Sequence, residues 1–300
     1  MLISDKWTQY ELLDCSGGER LERWGAHILV RPDPQVIWDT GALRPEWRAP
    51  DARYVRSSAG GGQWERKNVP ESWEITYGDL TFSVRPTNFK HTGVFPEQAN
   101  NWDYITRKVS SAGRRLSILN LFAYTGAATL ASAAAGAEVC HVDASKGAVA
   151  WARENAKISG LEGAPIRWIV DDCVKFIERE IRRGRRYDAI IMDPPSYGRG
   201  PAGEVWKLED NLFDFVRLAS RALSAQPEFV IINSYTAGLS PSTLKYIADA
   251  VFTAKLGGRA ESDELGLPVT QSGLCLPCGA ATRWEIRRGA TEVNVCQKNQ

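Results

Sequence analysis

The chain has 300 residues, enough for one large domain or two of ordinary size. Its 37 Lys and Arg stand against 36 Asp and Glu, and a net charge of +1 excludes a global electrostatic pull toward nucleic acid or an anionic membrane, so any polyanion must meet a local patch. No apolar run approaches the ~20 residues that span a bilayer, the start Met1-Leu-Ile-Ser-Asp-Lys-Trp7 lacks the apolar core of a signal peptide, and the scattered cysteines Cys15, Cys140, Cys173, Cys275, Cys278 and Cys296 fit a reducing, cytoplasmic setting.

Residues 1–84 read as a small, mostly β accessory domain, a candidate for substrate binding. Trp7, Trp24, Trp38, Trp47, Trp64 and Trp73 lie among short alternating runs with frequent Gly and Pro. These aromatics are expected to fill the core of that domain or its seam with the rest of the chain, rather than to stack nucleobases. Ile75 to Val84 reads as a hairpin turning at Gly78-Asp79. Residues 85–111 form the next unit: a Gly- and Pro-punctuated segment in which Lys90, Thr92, Phe95 and Gln98 offer donors, acceptors and an aromatic face, then a helix from Asn100 to about Ser111. From 112 to 300 strand and helix alternate, which predicts a mainly parallel sheet covered on both faces. Strands are expected at 116–122, 138–142, 166–170, 187–192 and 228–233. Helices are expected at 127–135, 145–159, 172–183, 207–225 and 241–255. An edge strand or terminal hairpin follows around Thr282–Arg287, and residues 289–300 form a polar, frayed tail.

An open parallel sheet binds ligands outside the C-terminal ends of its strands. The first strand delivers the turn Phe122-Ala123-Tyr124-Thr125-Gly126, whose glycine admits close backbone approach. The second delivers Asp143, placed for ribose hydroxyls, followed by Ala144 and Ser145. Asp171 and Asp172 follow the third strand, and Asp172 doubles as a helix N-cap. The fourth delivers Asp193-Pro-Pro-Ser-Tyr197, where consecutive prolines hold a stiff turn with free carbonyls. Asn233-Ser-Tyr-Thr236 ends the fifth. A nicotinamide enzyme is disfavoured, because Ala123-Tyr-Thr-Gly-Ala-Ala128 lacks the Gly-x-Gly-x-x-Gly spacing that admits a pyrophosphate.

Five signatures, Lys90-His-Thr-Gly-Val-Phe-Pro-Glu-Gln98, Asn120-Leu-Phe-Ala-Tyr-Thr-Gly126, Val142-Asp143, Asp193-Pro-Pro-Ser-Tyr197 and Leu276-Pro-Cys-Gly-Ala-Ala-Thr-Arg-Trp284, resemble in order the class I S-adenosylmethionine-dependent methyltransferases. More narrowly, the chain is similar to the large-subunit ribosomal RNA methyltransferases that modify cytosine or guanine in 23S RNA. The resemblance runs from about residue 10. It implies a Rossmann-like, doubly wound, seven-stranded sheet whose last strand is antiparallel. It also implies that Phe122, Tyr124 and Gly126 cradle the methionine part of the cofactor, that Asp143 holds the ribose, and that Asp172 meets the adenine amine. Asp193 faces the methyl group, and Lys90 and Gln98 close the pocket. The expected cofactor contacts are thus Lys90, Thr92, Phe95, Gln98, residues 122–126, Asp143 to Ser145, Asp171, Asp172 and Asp193. Asp193, Pro194 and Tyr197 are the expected catalytic group.

Methylation of cytosine carbon 5 requires a cysteine thiolate to attack the ring. The tips of the fourth and fifth strands carry none, and a nitrogen acceptor in an RNA base is expected instead. Carbon-5 methylation, a protein or small-molecule substrate, and a non-catalytic RNA-binding role stand as alternatives. Cys275-x-x-Cys278 has no second pair, so no metal site is expected. Arg114-Arg115 and Arg182-Arg-Gly-Arg-Arg186 precede strands, at the end of the sheet away from the cofactor, and read as solvated loops. Oligomeric state is open between monomer and homodimer.

Overall fold

A computed structural model describes residues 1–57, 61–199, 205–236 and 238–286. The expected polar tail lies outside them. The chain begins with β1 (Leu2–Ile3) and then builds a five-stranded sheet from β2 (Tyr10–Ser16), β3 (Glu19–Trp24), β4 (His27–Pro32), β5 (Ala52–Arg56) and β6 (Gly62–Arg66), paired in that order. A hairpin of β7 (Trp73–Tyr77) and β8 (Leu80–Val84) and the helix α1 (Ala99–Ser111) lead into the alternating part.

There β9 (Ser117–Leu121), α2 (Ala127–Ala134), β10 (Glu138–Asp143), α3 (Lys146–Ile158), β11 (Ile166–Val170), α4 (Cys173–Arg182) and β12 (Ala189–Met192) follow the periodicity of the sequence closely. A short hairpin, β13 (Tyr197–Arg199) with β14 (Val205–Lys207), precedes α5 (Leu208–Ser220), β15 (Phe229–Ser234) and α6 (Pro241–Ala248), which continues through a π turn at Asp249–Thr253. The chain closes with β16 (Arg259–Pro268) and β17 (Cys275–Glu285).

The main sheet has eight strands in the order β1-β16-β17-β15-β12-β9-β10-β11, and β17 runs antiparallel to both neighbours. Seven of these strands make the doubly wound methyltransferase sheet. The eighth is β1, which pairs in parallel with β16 through Leu2 and Leu265 and covers what would otherwise be an open edge. β16 went unread in the sequence because Arg259-Ala-Glu-Ser-Asp-Glu264 is largely polar; its Ala260, Leu265 and Leu267 are buried while Glu261 and Glu264 face solvent.

Period-2 alternation sorts the central strands between two cores. Ile118, Val139, Ala189, Ile191 and Ile231 face α1 and α2. Leu119, Val142, Ile190, Met192, Val230 and Ile232 face α4, α5 and α6, with Trp284 at one end. A third core joins the N-terminal sheet to the rest: Tyr10, Trp24, Ile75 and Phe82 pack with Trp102, Leu130, Leu267 and Leu276. The tryptophans serve this packing. Trp24 is fully buried, and Trp7 stacks edge-on against Tyr10 and Trp102. Among the described residues no helix is long and apolar enough to cross a membrane.

Trp284 is fully buried against Phe252 and donates its indole N–H to the Gly257 carbonyl oxygen at 2.9 Å. Trp284→Ala is expected to cost about 3–5 kcal/mol of unfolding free energy in a denaturant titration; a loss below about 1 kcal/mol would contradict this packing.

Candidate active site

The turn after β9 places two non-glycine residues in the left-handed region. Phe122 and Tyr124 sit at φ of 55° and 49°, and Gly126 at 88°. The left-handed region is costly for residues with a Cβ, so the surroundings must hold this turn in place. They do so with several hydrogen bonds. Asp143 Oδ2 accepts from the Tyr124 amide at 2.9 Å, the Val142 carbonyl from Ala123 at 3.0 Å, and Cys173 Sγ from Phe122 at 3.3 Å. Asn155 of α3 donates to the Thr125 carbonyl oxygen at 2.9 Å. A Cβ on Gly126 would lie 2.9 Å from that of Ala152, so the glycine is required by space as well as by φ.

A second segment, His91 to Gln98, lies over this turn. Thr125 Oγ1 donates to the Gly93 carbonyl, and Gly93 at φ 108° has no room for a Cβ beside the Trp151 ring. Between segment and turn lies a cleft with about 500 Å³ of empty space, lined by Phe95, Gln98, residues 122–126, Asp193 and Asn233, together with Asn101, Trp102 and Asn120. Its polar wall is a chain of amides: Gln98 Nε2 donates to Tyr235 Oη at 2.8 Å, and Asn101 Nδ2 donates to Gln98 Oε1 at 2.8 Å and to Asn233 Oδ1 at 3.0 Å. Asn101 and Tyr235 were missed as site residues; the only sequence signal for Asn101 is its i+3 spacing from Gln98 on a helix start. Phe95 packs between Tyr124 and Tyr235, at 5.6 and 5.8 Å between ring centroids.

Asp193 leaves β12 into this cleft. Among the described residues its carboxyl makes no ion pair, and burial, reinforced by the charge of Glu97, pushes it up from 3.8 to about 7. The Pro194-Pro195 turn is braced by Trp206, whose indole donates to the Pro195 carbonyl at 2.7 Å, and by Thr236 Oγ1 donating to Ser196 Oγ at 2.7 Å. Tyr197 is 52% exposed on the β13–β14 hairpin beyond that turn.

The other expected residues divide by position. Asp143 spends both oxygens on the Tyr124 and Ser145 amides, and burial raises its carboxyl against those bonds. Ser145 and Asp172 are the N-caps of α3 and α4, while Asp171 pairs with Arg179. Ala144 is exposed at the tip of β10. Thr92 is fully buried with its Oγ1 unpartnered. Lys90 points elsewhere: its ammonium donates to the Pro32 carbonyl at 3.3 Å, and burial lowers it from the usual lysine value. The basic runs are partly neutralised. Arg114 pairs with Asp188 at 2.8 Å and Arg115 with Glu138 at 3.3 Å, while Arg183 reaches Glu180 at 3.5 Å.

A family model for S-adenosylmethionine-dependent methyltransferases matches residues 44–220. The chain belongs to that family, and S-adenosylmethionine is its cofactor. A crystal structure of a SAM-dependent methyltransferase from Agrobacterium tumefaciens is 38% identical, with a TM-score of 0.89 over 95% of this chain and 93% of that one. Among curated relatives, the ribosomal RNA large subunit methyltransferase K/L of Syntrophotalea carbinolica is 29% identical over 60% of this chain, and that of Shewanella frigidimarina is 30% identical over 58%. The chain spans about a quarter of the length of these two relatives, 25% and 24%. The glycine-cradled turn and the orphaned Thr92 hydroxyl beside it fit such a cofactor.

Asp193 titrates higher in the folded chain than its ordinary 3.8, so its contribution to stability is complete below that value and is lost as pH rises through about 7. Half-buried His91 and buried His141, lowered to about 4 and about 3, act in the opposite direction. The comparison of Asp193→Asn with wild type isolates the carboxyl. The variant's melting temperature relative to wild type is expected to climb from pH 4 to pH 7 in the cofactor-free protein, and a constant difference would contradict the burial of this group.

Proposed function

We propose that this enzyme transfers the methyl group of S-adenosylmethionine to a nitrogen of a nucleobase in RNA, with large-subunit ribosomal RNA as the substrate. The observation that carries this reading is Asp193: a carboxyl without an ionic partner among the described residues, raised to about 7, at a strand tip lining the same cleft as the turn after β9. A base nitrogen attacks with its own lone pair, so the protein must align it, exclude water and receive a proton. Bound cofactor supplies the electrophilic methyl group. Asp193 accepts the proton, the Pro194 carbonyl orients an amino group, and Tyr197 stacks on a base swung out of its stack. Phe122, Tyr124 and Gly126 cradle the methionine part, Asp143 the ribose, and Asp172 the adenine.

Two thiols border the site, and neither is primed for attack on a ring carbon. Cys173 is buried and bonded to the Phe122 amide, and Cys278 is buried beside Glu97; burial raises both well above the ordinary thiol. RNA is supported by the names of the curated relatives. Phe89, 65% exposed beside the His91–Gln98 segment, offers a face on which a base can stack.

The test measures transfer of labelled methyl to RNA from a strain lacking the gene, with cofactor affinity followed by calorimetry. Asp193→Ala is expected to lower kcat about a hundredfold or more, and Tyr197→Ala about tenfold, with cofactor affinity retained. Near wild-type turnover in both variants would refute the assignment.

A further inference from the structure

The segment over the cleft carries a carboxyl that the proposed reaction does not yet use. Glu97 is 3% exposed, its Oε2 is buried with no hydrogen-bond partner, and it forms no ion pair among the described residues. Its main chain is fixed on the opposite side, where the Ser4 hydroxyl donates to the Glu97 carbonyl at 2.7 Å and the Trp7 indole to the Pro96 carbonyl at 3.0 Å. The next residue, Gln98, lines the cleft together with Asp193 and donates to Tyr235. Asp193 comes to the same place from β12, whose hydrogen-bonded neighbour β15 leads into Tyr235, with Met192 opposite Ile232. A buried carboxyl, Glu97, and a half-buried one, Asp193, therefore both act on one tyrosine, and among the described residues no other residue donates to either. Burial without partners is costly for such groups, so a ligand that brings N–H donors gains from meeting them.

We propose that Glu97 and Asp193 are the paired carboxyls of the acceptor subsite, and that Glu97 makes the enzyme select an acceptor edge presenting more than one N–H. This rests on the nitrogen-acceptor reading above. As the nitrogen–carbon bond forms, the carbon–sulfur bond breaks and its electron pair stays on sulfur. The nitrogen sheds one proton to the Asp193 carboxylate, while Glu97 accepts a hydrogen bond from a remaining N–H of the same edge.

The electrostatics around Glu97 suit this division of labour. Burial raises its carboxyl, Arg20 and Arg31 from the N-terminal sheet favour its ionised form, and Glu22 opposes them. On the cleft side its charge raises Asp193, Tyr235 and, from β17, Cys278. Burial is the larger cause that raises Asp193, and the Glu97 charge adds to it.

The experiment uses the full-length protein, labelled S-adenosylmethionine and RNA from a strain lacking the gene, with Glu97→Gln and Glu97→Asp variants. Glu97→Gln is expected to lower kcat at least tenfold with calorimetric cofactor affinity within twofold of wild type. It should also move the acid limb of the kcat profile to lower pH, because the charge that raises Asp193 is gone. Glu97→Asp keeps that charge, and its limb should stay near the wild-type position even with reduced kcat. Wild-type kcat and an unmoved limb in Glu97→Gln would overturn the proposal, as would loss of cofactor binding in both variants, which marks a structural role. Mass spectrometry of the wild-type product separates the two levels: a carbon- or oxygen-linked methyl group overturns the nitrogen reading itself, whereas a nitrogen-linked product with an indifferent Glu97→Gln overturns only this inference.

Discussion

The whole cleft depends on one short turn that adopts a backbone its own side chains oppose. Phe122 and Tyr124 are bulky and left-handed, and Gly126 completes the reversal. That conformation persists because contacts from β10, α3 and α4 bind its amides and a carbonyl, and the Gly93 carbonyl accepts from its Thr125 hydroxyl. The same contacts set the distances across the site. Asp143 is at once the acid at the tip of β10 and a structural acceptor for the turn.

A second constraint fixes the segment above the turn. Glu22, fully buried in the N-terminal sheet, accepts two bonds from Arg31, at 2.5 and 2.7 Å, and one from Tyr10 at 2.8 Å. Arg31 in turn donates to the Lys90 carbonyl at 3.2 Å. A buried pair this well satisfied is specific in geometry, since removing either partner strands a charge. The N-terminal sheet therefore does more than accompany the main sheet: through Arg31 it holds the start of the segment that lies over the cleft. The salt bridge of Arg20 with Asp33 extends the same layer.

Much of this was legible in the chain. Apolar runs and turn residues located β9 to β12 and β15, because parallel strands covered on both faces announce themselves as short hydrophobic stretches. The Asp193-Pro-Pro turn and the glycine of the first turn carry their chemistry in their residue types. What stayed hidden has physical reasons. β16 is half polar because one face meets solvent, and β1 is two residues long, so neither leaves a periodic signal. Lys90 looks like a pocket residue in the sequence, but its side chain is committed to Pro32, a contact between segments 58 residues apart. Glu97 was invisible for the opposite reason: its importance lies in the partner it lacks, which only a three-dimensional arrangement reveals.

In the proposed reaction the sheet, the strained turn and the carboxyl at the tip of β12 together align an acceptor and take its proton. The most direct test is the chemical identity of the product. RNA incubated with the protein and S-adenosylmethionine carrying a deuterated methyl group would be digested to nucleosides and read by mass spectrometry. The account predicts a deuterated methyl group on a base nitrogen; label on carbon 5 of cytosine, or none in RNA, would contradict it.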